Sequence, residues 1–235
     1  MLTRRRWLAL PLLLLPLRAQ AALAAAVVAA QGDALIAAAE RGNVAEIQKL
    51  LETGSPVNAR DARGRNAVLA ATQRGHTEAA RLLIARGADV NAQDDIRDSA
   101  FLLAGARGHA EIVRAALAAG ANLKSTNRYG GTALIPACHY GHVETVRVLL
   151  GSAIDVNHIN NLGWTALLEA VILGDGGLRH TEIVKLLIAH GANVNLADRQ
   201  GVTPLAHAEQ RGQRAIAEML RAAGAREKPL ARPAP

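Results

Sequence analysis

The side chains of this chain best suited to chemistry are its eight histidines and its one cysteine. Cys138, His139 and His142 lie within five positions, a spacing that could bring a thiolate and two imidazoles to one metal ion. A plainer reading competes with it: a small buried Cys, one exposed His and one structural His. His76, His109, His142 and His180 recur before an x-Glu step, three of them directly after a Gly, and an imidazole there can bond to nearby backbone. A metal site needs three or four convergent ligands with oriented support, so no metal is expected. Asp175-Gly-Gly is too short for a calcium loop, and the glycine-rich phosphate motifs are absent. No serine sits in a recognisable nucleophile setting. Glu78, Glu111, Glu144 and Glu182 form an evenly placed series of carboxylates. Each falls in the first turn of an expected helix, where the positive end of the dipole favours an acid, so helix support explains them. Neither an enzyme nor a cofactor is expected.

The elements that carry these residues follow from composition. The chain has 235 residues, 50% hydrophobic but only 2% aromatic. Ala, Leu, Val and Ile therefore supply the apolar mass, which favours helices packed closely through small side chains. The formal charge of +7 points at first to a polyanion. Arg4, Arg5, Arg6 and Arg18 account for four of the basic residues; without the first 21 residues the charge is +3, and no nucleic-acid partner is expected.

The start, MLTRRRWLALPLLLLPLRAQA, has a basic head, an apolar run from Trp7 to Leu17 and a small-x-small step at Ala19-Gln-Ala21. This is the pattern of an export signal over 1–21, cleaved near Ala21. Thr3-Arg-Arg-Arg-Trp7-Leu8 resembles a twin-arginine signal, and the Sec route is equally open. An uncleaved anchor running to Ala30 is the alternative, interrupted by Arg18. With Cys138 alone, no internal disulfide can form. The expected product is a periplasmic monomer without stable membrane insertion.

Self-comparison sets the architecture. Glycines stand at 42, 75, 108, 141 and 174 in steps of 33, then at 212 after a step of 38. A second series, Gly54, Gly87, Gly120, Ala153, Gly191 and Gly224, has the same exception, between 153 and 191. Both locate one five-residue insertion, Asp175–Arg179. Within a unit such as "GHTEAARLLIARGADVN", Ala79, Leu82 and Leu83 fall on one helical face and Gly87 can end the helix. The other helix, as in "TALIPACHY", is expected to start on a capping Thr. Stacking of units makes the core.

A 33-residue unit with G-x-T-P-L near its start, G-H-x-E in the middle and G-A-D-V-N at the end resembles the ankyrin repeat. Six units fit: 32–60, 61–93, 94–126, 127–159, 160–197 and 198–225. Residues 22–31 form an Ala-rich linker or N-terminal helix, and 226–235 a disordered Pro-rich tail. The family's T-P-L-H step reads Asn66-Ala-Val-Leu69, Ser99-Ala-Phe-Leu102, Thr132-Ala-Leu-Ile135, Thr165-Ala-Leu-Leu168 and Thr203-Pro-Leu-Ala206, without its His. The implied fold is an all-α repeat solenoid.

The resemblance implies a non-catalytic module that binds another protein on a concave face of turn tips and first helices. On that face the fourth and fifth units collect Tyr129, Tyr140, Leu162, Trp164, Ile172 and Leu173, whereas the others are mainly polar. Arg63, Arg65, Arg128 and Arg199 belong to the same surface, which has the composition of a recognition patch. The insertion, Asp175, Gly176, Gly177, Leu178 and Arg179, follows Leu173 on the loop between the helices of the fifth unit. It is either a lip that extends the patch or a flap that covers Ile172 and Leu173. Two other classes stand beside this reading: a metal-handling protein or enzyme using His139 and His142, and an envelope protein held by its N-terminus.

Overall fold

The computed structural model describes residues 17–227. Positions 1–16 of the expected export signal and 228–235 of the expected tail lie outside the described residues. Among the described residues twelve helices form six pairs: α1 (Leu17–Arg41) with α2 (Val44–Glu52), α3 (Ala67–Gln73) with α4 (Thr77–Ala85), α5 (Ala100–Arg107) with α6 (Ala110–Ala118). The others are α7 (Leu134–His139) with α8 (Val143–Leu150), α9 (Ala166–Ile172) with α10 (Leu178–Ala189), and α11 (Pro204–Gln210) with α12 (Arg214–Ala222). Odd-numbered helices stack in one row and even-numbered ones in a second, with the core between them.

Small residues set the spacing of that core. Ala67, Ala71, Ala100, Ala104, Ala133, Ala137, Ala166 and Ala170 are fully buried along the first row, and Phe101 is its one buried aromatic carbocycle. At Gly105 a Cβ would lie 2.7 Å from the carbonyl oxygen of Ala133, so α5 can approach the next unit only without a side chain there. The second row supplies Ile47, Leu83, Ile112, Leu149, Leu187 and Leu220 from the faces that the helical period aligns.

Side chains tie unit to unit where helices do not. Asn58 donates to the Gly87 carbonyl and accepts from the Asp89 amide. Asn91, Asn157 and Asn195 repeat both bonds with the next loop. Lys124 holds the equivalent position in the third unit and breaks the series. The last residue of G-A-D-V-N is therefore an inter-unit clamp.

The Ala-rich stretch 22–31, expected as a linker or an N-terminal helix, lies within α1. Residues 22–31 continue α1 without a break, as a run of Ala favours. Ala21–Ala30 are exposed, including Leu23, Val27 and Val28, and the helix enters the stack only from Gly32 onward.

Helix starts bring a correction. Asn66, Ser99, Thr165 and Thr203 cap as expected, each accepting the amide three residues on. Thr132 does not: its hydroxyl is buried without a partner. Pro136 has no N–H to give the Thr132 carbonyl, so that carbonyl takes the Ile135 amide at 3.3 Å, the donor the hydroxyl would otherwise use. Thr165→Val should cost about 1 kcal/mol through loss of the cap. Thr132→Val should change stability by less than about 0.5 kcal/mol, because no bond is lost. Urea unfolding of the two variants measures the contrast.

Candidate functional site

Each exposed turn tip is built around one acceptor. Asp61, Asp94, Asn127, Asn160 and Asp198 each take two backbone amides, two and four residues ahead, on Oδ1. Successive tips are joined where the backbone amide of Asp95 donates to the Arg63 carbonyl and that of Asn161 to the Tyr129 carbonyl. Tyr129 and Leu162 are thus held on adjoining rigid tips. Both are exposed, at 56% and 50%.

A groove of about 920 Å³ runs along the inner face from the second unit to the fifth. Arg128, Tyr129, Tyr140, Leu162 and Leu173 line it, five of the residues singled out in the sequence. Its floor is made by Leu103, Ile135, Pro136 and Glu169, and Arg74 and Arg107 stand toward the second and third units. Tyr140 is 55% exposed and stacks flat on His139, with ring centroids 4.2 Å apart. The Arg128 guanidinium lies 4.9 Å from the Tyr129 ring centre and 3.7 Å from the Asp98 carboxylate.

The other expected site residues go elsewhere. Arg65 is buried, bonded to Asp61 and Gln73 and paired with Glu40, so it braces the first two units and is not a contact residue. Ile172 is also buried, because the final turn of α9 directs it into the stack and leaves Leu173 outside. Trp164 is half-buried, while Arg63 and Arg199 are exposed away from the groove lining.

The insertion does not line the groove either. Only Asp175, Gly176 and Gly177 form loop; Leu178 and Arg179 add a turn to the front of α10, which has 12 residues where α4, α6 and α8 have 9, 9 and 8. Asp175 Oδ1 accepts the Gly177 amide at 2.9 Å and meets His180 Nδ1 at 2.7 Å. These bonds hold the Asp175 carboxyl below the usual range. His180 Nε2 meets the His139 carbonyl at 2.9 Å, so one ring ties the insertion to the fourth unit. On the other side Gln213 donates to the Val171 and Gly174 carbonyls, with its stem against Gly176. The segment is a brace across three units and leaves Leu173 uncovered.

The histidines are used in the same structural way. His76 bonds the Glu40 carbonyl at 3.2 Å and His142 that of Ala106. His109 occupies the equivalent place over Gly75 with Nε2 buried and unpartnered. Burial holds both His109 and His142 below the usual imidazole range. Cys138 is fully buried, which pushes its thiol well up. Among the described residues no three His, Cys, Asp or Glu side chains converge as a metal site would require. Three of the carboxylate series, too, have partners: Arg114 joins Glu111 to Glu144, and Arg147 joins Glu144 to Glu182. Such exposed pairs add little individually.

Sequence reading missed Glu169. It stands at the fifth place of the T-A-L-L-E-A segment, filled by Ala70, Leu103 and Pro136 in the three preceding units. A lone acid at a repeat position held by Ala70, Leu103, Pro136 and, in the sixth unit, His207 was the available signal. Its Oε1 accepts from Asn160 Nδ2 at 3.0 Å, and Oε2 lies 3.6 Å from His139 Nδ1. Only 6% of the residue is exposed, and burial pushes its carboxyl up to about 7 against the Asn160 bond. Burial, with the nearby His180, lowers His139. Both groups are therefore drawn toward their neutral forms, and the 3.6 Å contact is a weak ion pair near neutrality.

Comparison with known proteins agrees with this architecture. A model of ankyrin repeats matches three times, over residues 13–94, 100–178 and 155–229. An ankyrin repeat domain from Acinetobacter baumannii AYE is 53% identical, with a TM-score of 0.79 over 82% of this chain and 98% of that one. The ankyrin repeat domain of Bcl-3, from the IkappaB protein family, is 27% identical with a TM-score of 0.72, over 82% of this chain and 86% of that one. The Escherichia coli (strain K12) ankyrin repeat protein YahD is 51% identical over 57 residues, 24% of this chain. That match spans 28% of YahD's own length. With six stacked helix pairs and repeat matches along most of its length, the chain belongs to the ankyrin-repeat family.

Proposed function

We propose that this protein is a non-catalytic binding scaffold that holds a partner protein in the groove of its fourth and fifth units. Ankyrin repeats generally serve as protein-interaction scaffolds, and the observation that carries the location is the exposed apolar set on one groove. Tyr129, Tyr140, Leu162 and Leu173 are 43–56% exposed there while their backbone is fixed by turn and helix bonds. Rigid, amphipathic side chains on a fixed frame lose little entropy on binding, and tyrosine is enriched at interface hot spots. Tyr129→Ala with Tyr140→Ala should weaken capture of the partner from periplasmic extract at least tenfold. Thermal unfolding should hardly move, because neither ring is in the core. Undiminished capture would refute this surface.

The partner is read as periplasmic, from the basic head, apolar run and small-x-small step of the N-terminus. One observation favours a second reading, retention at the envelope. Among the described residues, Ala19–Arg41 is the one helix long and apolar enough to cross a membrane, and its first half is exposed. The mass of the protein recovered from cells decides between them: cleavage near Ala21 is expected, and an intact N-terminus would establish retention.

A further inference from the structure

Glu169 has no role in holding the fold that explains a carboxylate. Asn160 occupies the turn position where Asp198 of the sixth unit pairs with His207 at 2.7 Å, yet Asn160 satisfies only one oxygen of Glu169. Among the described residues, His139 is the one basic side chain within ion-pair distance. The apolar residues at this place in neighbouring units, Leu103 and Pro136, show that the stack can be built without an acid. Burying an incompletely paired carboxylate costs free energy, and the carboxylate borders an open groove.

The same groove shows how it accommodates a cation. In the fourth unit Arg128 stands between the Asp98 carboxylate and the Tyr129 ring. The half-buried Asp98 carboxyl is raised by burial, with Arg128 opposing that rise. One unit on, the equivalents of Arg128 and Tyr129 are Asn161 and Leu162, so the turn tip brings no cation of its own toward Glu169. A carboxylate and an aromatic wall, the His139–Tyr140 stack, are both present.

We infer that Glu169 is a specificity-determining residue, receiving an arginine or lysine side chain of the partner protein in the groove beside His139 and Tyr140. This rests on the reading of the groove as the binding face. The incoming cation supplies the donors that Glu169 lacks, and its alkyl stem lies along Leu173 and the tyrosine ring. An ordinary rim contact would use an exposed acid with little desolvation; a carboxylate already removed from water discriminates more sharply, because a partner without a donor leaves it unpaired.

The test is selection of random linear peptides displayed on phage, panned at pH 7.5 on the full chain and separately on the Glu169→Gln variant. Peptides enriched on the natural chain should share Arg or Lys at one fixed position and bind the variant at least tenfold more weakly. Enriched peptides with no common basic residue, or with unchanged affinity for Glu169→Gln, overturn the inference. If such peptides still lose binding to Tyr129→Ala with Tyr140→Ala, the groove stands and only the basic-residue specificity falls. Peptides indifferent to all three substitutions, or a selection that enriches none, would sink both. Urea unfolding of Glu169→Gln at the same pH confirms that a lost interaction is not a lost fold.

Discussion

Replacing Glu169 with glutamine should raise stability by about 3 kcal/mol at pH 8 and by less than about 1 kcal/mol at pH 5. The carboxyl has an ordinary value of 4.5 and is pushed to about 7 in the fold, chiefly by burial. Between those values the native state holds a proton that the unfolded chain has released. Stability therefore falls as pH rises through this window, and above about 7 the full cost of a buried carboxylate is present. Glutamine keeps an oxygen for Asn160 Nδ2 and carries no charge, so it removes the penalty without opening a cavity. Urea unfolding of both proteins at pH 5, 6, 7 and 8 measures the effect. A difference independent of pH would mean that Glu169 does not titrate in this range. A residue that lowers stability at its working charge, while lining the groove, fits retention for binding.

His180→Ala should destabilise the protein by about 3 kcal/mol, the largest loss expected from any histidine. Its side chain is 8% exposed, and both nitrogens are engaged, by the Asp175 carboxylate at 2.7 Å and the His139 carbonyl at 2.9 Å. Removing it strands that carbonyl, frees the insertion from the fourth unit and leaves space between Gly141 and Gly174. His109→Ala is the matched control: Nε2 has no partner to lose, so the change should stay within about 1 kcal/mol. Equal losses for the two variants would show that the ring packs and does not brace. Deleting 175–179 should resemble His180→Ala in direction, because it also removes the bond between Asp175 and His180.

Much of the molecule was legible because the chain repeats. The spacing of Gly42, Gly75, Gly108 and Gly141 recovers the units, and recurring Gly-His and Asn positions mark the contacts between them. Single substitutions inside a unit were harder to read. Arg65 has the type and position of a surface cation, yet Glu40, Asp61 and Gln73 from two units close around it. Thr132 has the type of a cap, but a proline four residues on diverts the donor it needs. In the insertion, Leu178 and Arg179 read as loop because Gly176-Gly177 precedes them; the helix extends backward to include them once Asp175 and Gln213 fix the loop.

By itself the sequence determined the period, the helical class, the order of the units and the placement of one insertion, since all four depend on residues that recur at fixed separations along the chain. Only the tertiary structure decided which of the residues expected on one surface reach it. It brought Arg128, Tyr129, Tyr140, Leu162 and Leu173 to one groove, buried Ile172 and placed Glu169 in the floor. The physical reason is that burial and charge pairing arise from neighbours about 33 residues away, and a side chain's partners across that distance depend on how the units are stacked.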